Sequence, residues 1–449
     1  MFKFLKPAPE AQVKVPKERI IRSFKIWQLR ILSSTSLVYV GYYIIRLIFT
    51  AQQNEIRQAY NFSLSQIGFI LSMFGIGYGL SKLVMGSLAD RLHPNCYVVM
   101  GLIISSIINF ILGSTHHYYF ILFLMFLNSF MQGIGAAACQ RLVSLWFGQK
   151  GQGCLLRRGT AFAIWSSAHN FGAFACIATV NLSGLIFGQS LQYSFYTASI
   201  VSIIIALITL GLGGDRPTSK GLPTIEEYSA DQVAISKRKN VGNEDITELS
   251  ILTVFVEYIL RNRLVWAIIF ISLLIYIVRY GVMSWIPAYL PEHKGFSVSE
   301  AKWLMGIFEF SAIPGVIILG LVSDTLKGNR ALVLIFSLFG MMVSLTVYSF
   351  ASDHIVILVT LLVLGTLIYA PATLVGLMVN EAVPKFALGM STGVMGVAQY
   401  LIGEVIAVSL IPIFVERYGW GTSNVILFGA AFSAFLLSIY ILKCQGNNK

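Results

Sequence analysis

Charged residues are scarce in this sequence. Only 12% of its 449 residues are Asp, Glu, Lys or Arg, and 56% are hydrophobic, whereas a typical soluble domain is about 25% charged. Apolar runs of about 20 residues recur along the whole chain, and each is long enough to cross the roughly 30 Å hydrocarbon core of a bilayer. This composition excludes an ordinary soluble protein and predicts a helical membrane protein with many spans.

Cysteine is also rare, and its placement gives no disulfide or metal pattern. The five cysteines lie in predicted spans or on one predicted side of the membrane: Cys96, Cys139, Cys154, Cys176 and Cys444. Their spacings match no metal-ligand motif, so we predict neither a disulfide nor a metal site. The sequence shows no motif of a catalytic nucleophile or of nucleotide binding. It therefore predicts a protein that is not an enzyme and needs no cofactor.

The apolar runs fall into two groups of six, separated by one long charged stretch. The predicted spans are 27–52, 64–88, 96–115, 118–142, 159–188 and 191–213, then 263–290, 300–323, 331–351, 354–379, 386–415 and 421–443. We therefore predict an all-α membrane protein with twelve transmembrane helices in two six-helix halves. Its parts are an N-terminal arm (1–26), an N-terminal half (27–213), a linker (214–262), a C-terminal half (263–443) and a tail (444–449).

The excess of basic residues predicts the orientation of the chain. The formal net charge is +12. Of the 32 Lys and Arg residues, 25 lie on the predicted side that carries both termini and the linker, and four lie on the other side. Since cytoplasmic loops of membrane proteins are enriched in Lys and Arg, we predict that the arm, the linker and the tail are cytoplasmic. The basic charge is therefore a topology signal, and no nucleic-acid partner is expected.

One full charge lies deep inside the first span. Arg46 is surrounded by apolar and aromatic residues, and a charge at the centre of a membrane helix costs about 2.5–3.5 kcal/mol. The pattern Tyr43-Ile-Ile-Arg46 recurs as Tyr276-Ile-Val-Arg279, 233 residues later. This repeat predicts two related halves. Parallel repeats place matching residues opposite each other across a central cavity, so we expect Arg46 and Arg279 to converge there.

Two converging arginines suit a phosphate group. A phosphate monoester carries about −1.5 to −2 charges near neutral pH, and a guanidinium can bind two of its oxygens. The alternative is that each arginine pairs with a carboxylate. Glu309 and Glu404 are the clear acids within the spans, against three cations including Lys82, and this excess of positive charge favours an anion site. Both acids are predicted to balance charge, and a proton-carrying role of Glu404 stays an open alternative.

Both halves also carry the pattern Gly-x-x-x-Asp, followed by a base, at the inner end of a span. The acids and bases are Asp90 and Arg91 in the first half, and Asp324 and Arg330 in the second. Such pairs at neighbouring helix ends can form a latch that opens and closes as the halves move. They fit a permanent ion pair at the inner rim equally well. We predict a gating role for these four residues, with both interpretations open.

Several local patterns, taken in order, carry a family resemblance. Two groups of six spans with the Gly-x-x-x-Asp pattern in each half resemble the major facilitator superfamily. Six further patterns are Tyr42-Tyr-Ile-Ile-Arg46, Tyr78-Gly-Leu-Ser-Lys82, Ala168-His169-Asn170, Val278-Arg279-Tyr280-Gly281, Glu309-Phe-Ser-Ala-Ile-Pro314-Gly and Gly221-Leu-Pro. Through these patterns the whole chain resembles, more narrowly, the organophosphate:phosphate antiporters.

The resemblance implies which residues bind the substrate. In the family, arginines that match Arg46 and Arg279 bind the substrate phosphate, and a histidine matching His169 and a lysine matching Lys82 contribute to the site. The matching tyrosines are Tyr39, Tyr43, Tyr78, Tyr276, Tyr369 and Tyr400. From the residues alone, His169 fits a hydrogen-bonded core histidine nearly as well, and Lys82 fits a side chain that reaches the membrane surface.

The chain departs from the family pattern at two places. Glycerol-phosphate and hexose-phosphate members usually carry a lysine directly after the first-span arginine, and many carry an acid before the tryptophan of span seven. This chain has Leu47 and Ser284 there, so both members of a plausible buried ion pair are absent together. Hexose-phosphate importers of the best-known type carry an Asp and a Lys in span eleven, where this chain has Thr392 and Met395. Residues 283–287 are more similar to phosphoglycerate transporters.

The sequence thus predicts a secondary active transporter that works by alternating access. It would exchange a small phosphate ester, such as glycerol 3-phosphate, phosphoglycerate or a sugar phosphate, for inorganic phosphate. We expect it to act as a monomer in the bilayer of the bacterial inner membrane. Two alternatives stay open: a membrane receptor that senses a sugar phosphate, and a proton-coupled anion symporter that uses Glu309 or Glu404.

Overall fold

The computed structural model describes residues 5–89, 91–148, 155–228, 255–325, 330–384 and 387–446, and it contains no β-strand within them. Twelve of its helices are long and apolar enough to cross a membrane. This result confirms the predicted fold class. In lipid, a backbone without access to water must satisfy its polar groups within the same segment, and for this reason the apolar runs are helical.

The described residues of the N-terminal half form six long helices and one short helix. They are α1 (Lys17–Ala51), α2 (Gln53–Tyr60), α3 (Leu64–Ala89), α4 (Pro94–Ser114), α5 (Tyr118–Trp146), α6 (Arg158–Phe187) and α7 (Leu191–Leu212). We call the end of the bundle where α1 begins the terminal face, because the last helix also ends there, and we call the other end the opposite face. The short α2 follows the end of α1 and lies at the opposite face.

The C-terminal half repeats this arrangement. Its helices are α8 (Arg263–Met283), α9 (Ile286–Lys294), α10 (Val298–Thr325), α11 (Arg330–Phe350), α12 (His354–Ala382), α13 (Leu388–Gly396), α14 (Val405–Tyr418) and α15 (Gly421–Gly446). The short α9 follows α8 as α2 follows α1. A π-helical segment, Val397–Glu404, joins α13 and α14 into one span. Asn262 and Asp353 cap α8 and α12, because each side chain accepts hydrogen bonds from two backbone N–H groups of the first turn.

The first helix is longer than the predicted span. Hydrophobicity predicts that the span begins at residue 27, whereas α1 begins at Lys17, directly after Pro16. Hydropathy detects the part of a helix that crosses lipid, so it misses polar turns that extend beyond the membrane. Proline cannot donate a backbone hydrogen bond, and it is therefore well tolerated at a helix start.

The N-terminal arm is attached to the beginning of the linker. The backbone N–H of Ala8 donates to Asp215 Oδ2 at 2.6 Å, and that of Val15 donates to the Gly221 carbonyl at 2.9 Å. Gly221 has a φ of +71°, a conformation that favours glycine. Much of the predicted linker, residues 229–254, lies outside the described residues. The predicted division into arm, halves, linker and tail stays a prediction.

The two halves meet along two pairs of helices. α3 packs on α14 and on the π-helical segment, and α6 packs on α10. Gly68 on α3 allows the first of these contacts to be close, because a Cβ atom at this position would lie 2.6 Å from Pro412 Cγ on α14. This glycine therefore bears on how the halves fit together, rather than on the folding of either half.

Polar contacts hold the two halves together at the opposite face. Lys302 on α10 forms an ion pair with Glu55 on α2 and donates to Gln52 Oε1 at 2.7 Å. Arg57 on α2 forms a second ion pair with Glu292 on α9. These contacts join the short helices of the two halves. The bundle is thus closed at the opposite face.

Candidate functional site

The candidate site is built around two buried arginines. Arg46 lies on α1 and Arg279 lies on α8, the corresponding helices of the two halves. Each arginine is only 6% exposed. Removing a charged group from water costs several kcal/mol unless nearby groups compensate for the lost hydration. The neighbours of each guanidinium therefore determine what the site can bind.

Arg46 is surrounded by one acid and several aromatic rings. Its Nη2 donates to the Tyr280 hydroxyl at 3.0 Å and lies 3.7 Å from Glu404 Oε2. Its guanidinium carbon lies 4.5 Å from the ring centre of Tyr78 and 4.7 Å from that of Phe74. The rings stabilise the cation through their electron-rich faces. The rings do not neutralise the positive charge of Arg46. The Glu404 carboxylate, at 3.7 Å, offsets that charge in part.

Arg279 has no carboxylate partner among the described residues. Its guanidinium carbon lies 4.2 Å from the ring centre of Tyr369 and 5.2 Å from that of Tyr280. Within the part of the chain that the structure describes, its Nε has no hydrogen-bond partner. Tyr280 is thus next to both guanidinium groups, since its hydroxyl binds Arg46 and its ring faces Arg279. The structure brings the two arginines, one from each half, to one shared side chain.

Glu309 on α10 is bound by neutral donors. Its side chain is completely buried. The Tyr369 hydroxyl donates to its Oε1, and Asn170 Nδ2 lies 3.3 Å from its Oε2 and 2.8 Å from its backbone carbonyl. Both carboxylate oxygens therefore have a hydrogen-bond partner. These bonds hold Glu309 in one orientation and connect α6, α10 and α12.

Glu404 is bound much less completely than Glu309. It is only 4% exposed, and its Oε2, the atom that faces Arg46, has no hydrogen-bond partner in the described ranges of the chain. It ends the π-helical segment that also carries Tyr400. Such wide turns within helices occur frequently at functional sites. The structure thus distinguishes two acids that the sequence could not.

His169 on α6 lies among aromatic rings of both halves. Its ring centre is 5.2 Å from that of Tyr43 and 5.7 Å from that of Tyr369. Tyr39 lies beside Tyr43, with 5.4 Å between the ring centres. His169 Nδ1 is hydrogen-bonded to the Ser166 carbonyl. Because a carbonyl can only accept, Nδ1 carries the proton, and Nε2 is the nitrogen left for another partner.

Lys82 lies one turn beyond Tyr78 on α3. Its Nζ is 4.1 Å from the ring centre of Tyr400 and 5.3 Å from that of Tyr78. The ring of Tyr276 packs on the same Tyr400, with 5.3 Å between the ring centres. The ammonium group therefore lies over tyrosines of the candidate site instead of extending to the membrane surface. Lys82 is exposed, and since α3 runs towards the terminal face, the site opens in that direction.

A small cavity adjoins Arg46. It has a volume of about 20 Å³, and its lining includes Leu47, Ser284 and Glu404. This is enough space for one water molecule. Leu47 and Ser284, the two departures from the family pattern, therefore face the same cavity from the two halves.

This shared cavity makes the joint loss of a charged pair testable. We expect Leu47→Lys alone to weaken folding or transport, because an uncompensated charge in a buried site costs about 3–5 kcal/mol. Adding Ser284→Asp should recover much of the loss, since the new carboxylate would face the new ammonium. Melting temperature and transport rate are to be measured for the four forms, with Ser284→Asp alone as the control. Strictly additive effects would mean that the two positions do not interact.

The predicted gating residues are only partly described. Asp90 lies outside the described residues, and Asp324 is in α10 but its side chain is not described. Arg91 is exposed after the end of α3. Arg330 forms an ion pair at 2.7 Å with Glu381, which belongs to the same half. The gating role of these residues stays a prediction.

Three neighbours of the charged groups were not among the predicted site residues: Tyr280, Phe74 and Asn170. Successive residues of a helix point in different directions, so Arg279 made its neighbour Tyr280 a poor candidate. A signal was nevertheless present in the spacing. Residues four apart share a helix face. Tyr280 lies four residues after the predicted Tyr276, and Phe74 lies four residues before the predicted Tyr78. The Tyr280 hydroxyl accepts a hydrogen bond from Arg46.

Comparison with known proteins agrees with this fold and chain order. The model of the Major Facilitator Superfamily matches residues 31–408. A glycerol-3-phosphate transporter of Bacillus subtilis (strain 168) is 31% identical over 456 residues, which cover 100% of this chain and 98% of the relative. A phosphoglycerate transporter protein of Salmonella typhimurium is 30% identical, and the match covers 97% of this chain and 93% of the relative. A hexose-6-phosphate:phosphate antiporter of Escherichia coli (strain K12) is 30% identical, and the match covers 90% of this chain and 86% of the relative.

Solved structures with the same fold are more distant in sequence. A crystal structure of a bacterial homologue of the human lysosomal transporter Spinster matches with a TM-score of 0.71 at 16% identity, covering 93% of this chain and 98% of that one. A crystal structure of the nucleoside transporter NupG matches with a TM-score of 0.69 at 16% identity, with 93% and 99% covered. Fold and relatives together define a non-enzymatic membrane transport protein. The chain belongs to the Major Facilitator Superfamily and, within it, to the organophosphate:phosphate antiporter family.

Proposed function

We propose that this protein exchanges a small phosphate ester for inorganic phosphate across the membrane. The observation that carries the proposal is the pair of buried arginines, one from each half, that share Tyr280 as a neighbour. Arg279 has no carboxylate partner among the described residues and so retains its capacity to bind an anion. The names of the relatives, which refer to glycerol-3-phosphate, phosphoglycerate and hexose-6-phosphate, support a substrate with a phosphate group.

The charge of the site supplies a reason for exchange. Arg46 and Arg279 belong to different halves, so closing the halves around an empty site brings two cations together in a region of low dielectric constant. A bound phosphate offsets both charges and can accept hydrogen bonds from both guanidinium groups. The protein with bound phosphate can therefore switch between its inward-open and outward-open states more easily than the empty protein. Exchange follows, because the switch back to the first state requires a second bound anion.

The contacts at the two ends of the bundle fit one state of such a cycle. The opposite face is closed by ion pairs of Lys302 and Arg57, while the exposed Lys82 lies on the terminal side of the site. With the termini in the cytoplasm, as the basic residues predict, this is a state in which the site is accessible from the cytoplasm. The phosphate gradient would then drive import of the ester.

Counterflow in proteoliposomes tests this proposal directly. Purified protein is reconstituted into vesicles loaded with phosphate, and labelled phosphate or labelled ester is added outside. We expect uptake of the label into vesicles that contain phosphate and no uptake into vesicles prepared without it. Binding of the ester without flux would indicate a receptor instead. Uptake into phosphate-free vesicles, driven by a pH gradient alone, would indicate a symporter.

The same assay tests the size of the ester. We expect three-carbon esters, glycerol 3-phosphate or phosphoglycerate, to compete with phosphate exchange more strongly than hexose 6-phosphate does. The reason is that Thr392 and Met395 are neutral where the best-known hexose-phosphate importers carry charges. The measurement is inhibition of phosphate–phosphate exchange by each ester at equal concentration. Stronger inhibition by hexose phosphate than by both three-carbon esters would contradict the prediction.

A further inference from the structure

The two buried acids of the site are not equivalent. Both carboxylate oxygens of Glu309 have hydrogen-bond partners on neutral side chains. Glu404 Oε2 has none among the residues that the structure describes, although it is buried and faces Arg46 at 3.7 Å. Glu404 also borders the small cavity beside Arg46, together with Leu47 and Ser284. It is therefore the acid whose environment changes most when an anion reaches Arg46.

The groups around Glu404 come from both halves. They are Arg46 on α1, Lys82 on α3, and Arg279 and Tyr280 on α8. The carboxylate thus competes with any bound phosphate for the same guanidinium group. Two anions held close together in a buried site repel each other, and one of them then takes up a proton. Glu309, by contrast, is held by its own neutral donors, Tyr369 and Asn170.

A count of charges indicates how many protons the site requires. Arg46, Arg279 and Lys82 contribute three positive charges, and Glu309 and Glu404 contribute two negative ones. A phosphate dianion added to this site leaves an excess of one negative charge. One proton restores neutrality in the interior of the protein, where an uncompensated charge is costly.

We propose that Glu404 couples phosphate binding to the uptake of one proton. This inference rests on the proposed function, because it requires that phosphate binds at Arg46. In the empty site the ionised carboxylate of Glu404 pairs with Arg46. When a phosphate dianion binds there, a proton from water forms an O–H bond at Glu404 Oε2. The site then contains a phosphate dianion and a neutral carboxyl group, and the proton leaves when the phosphate leaves.

The proton count is measured by isothermal titration calorimetry of the purified full-length protein with inorganic phosphate. Titrations in buffers of different ionisation enthalpy give the number of protons taken up per phosphate bound. At about pH 8.5 free phosphate is almost entirely the dianion. We expect about one proton per phosphate for the wild type and none for Glu404→Gln. Between about pH 7.5 and 8.5 the wild-type affinity should fall about tenfold, and that of the variant should stay constant, because one linked proton changes affinity tenfold per pH unit.

Two further variants control for effects on the fold. Glu404→Asp retains a carboxylate and should retain the proton uptake. Glu257→Gln removes an exposed acid that pairs with Arg261 outside the site, and its proton count should equal that of the wild type. The ³¹P chemical shift of bound phosphate reports its protonation state and should be that of the dianion.

The possible results separate the two proposals. A wild-type protein that does not bind phosphate contradicts the proposed function itself. Binding without proton uptake, or equal proton uptake by wild type and Glu404→Gln, contradicts only the role of Glu404. A bound phosphate with the chemical shift of the monoanion would also overturn it, because the proton would then lie on the ligand. Absence of phosphate binding and binding without proton uptake are both detected with the wild type alone, even if a variant fails to fold.

Discussion

Replacing either buried arginine with lysine is expected to abolish most of the exchange activity while the protein still folds. Arg46→Lys and Arg279→Lys each keep the positive charge, so insertion and charge balance are preserved. Each loses the planar fork that binds two phosphate oxygens at once. A hydrogen bond to a charged group contributes about 1.5–3 kcal/mol, which corresponds to roughly tenfold to more than hundredfold weaker binding for each bond lost.

The double variant distinguishes a shared site from two independent arginines. If one phosphate binds both guanidinium groups, Arg46→Lys with Arg279→Lys should be little worse than the more damaging single change, because residues that act as a unit are not additive. The measurements are phosphate affinity by calorimetry and exchange by counterflow. Arg261→Lys is a suitable control, since Arg261 forms an exposed ion pair with Glu257 within one helical turn. Such surface pairs contribute little.

The alternative arrangement predicts a different pattern. If each arginine mainly holds an acid, lysine should substitute tolerably, and any damage should appear as poor expression rather than lost binding. The 3.7 Å contact between Arg46 and Glu404 gives this alternative some basis on one side of the site. Purified, monodisperse single variants that exchange phosphate at near wild-type rates would refute the two-arginine site.

A methyl group at Gly68 is expected to weaken the closed opposite face and slow exchange strongly. In Gly68→Ala the new Cβ would lie 2.6 Å from Pro412 Cγ and closer still to the Val408 carbonyl oxygen, both in the other half. Overpacking of this kind costs about 1–3 kcal/mol, so the balance between closed and open forms should shift by roughly fivefold to more than hundredfold. Because the clash lies between the halves, each half should fold normally.

The same helix provides the matched control. Gly79→Ala places its Cβ 3.5 Å from Leu401 in the other half, an ordinary contact distance, and should exchange at near wild-type rates. Accessibility is measured with a cysteine at Thr50, a buried residue that lines the cavity beside Arg46. An impermeant thiol reagent applied from the opposite face should label it faster in Gly68→Ala. Equal labelling and equal exchange in both glycine variants would show that the α3–α14 contact does not control closure.

The sequence determined the class of structure because the bilayer leaves few choices. Long apolar runs in lipid must be helical to satisfy their backbone polar groups, so composition and run length were sufficient to predict twelve helices in two halves. The repeat of Arg46 at Arg279 was equally informative. In parallel repeats, matching positions face a common centre, and the structure does bring both side chains next to Tyr280.

The tertiary structure decided what each charged group contacts. Glu309 and Glu404 are alike in sequence, since both are single acids in apolar helices. Their difference comes from side chains on other helices: Tyr369 and Asn170 bind the first, whereas the second meets Arg46 at the end of a π-helical turn. No local pattern encodes such contacts between distant segments.

The closed end of the bundle shows the same limit. In the sequence, the charges at this face are ordinary residues near loops. The pairs Lys302–Glu55 and Arg57–Glu292 form only where the two halves pack on each other. The start of α1 at Lys17 was missed for a different reason, because hydropathy does not register polar helical turns. Sequence alone determined the helices and the two arginines, and packing between the halves determined which partners the charges found.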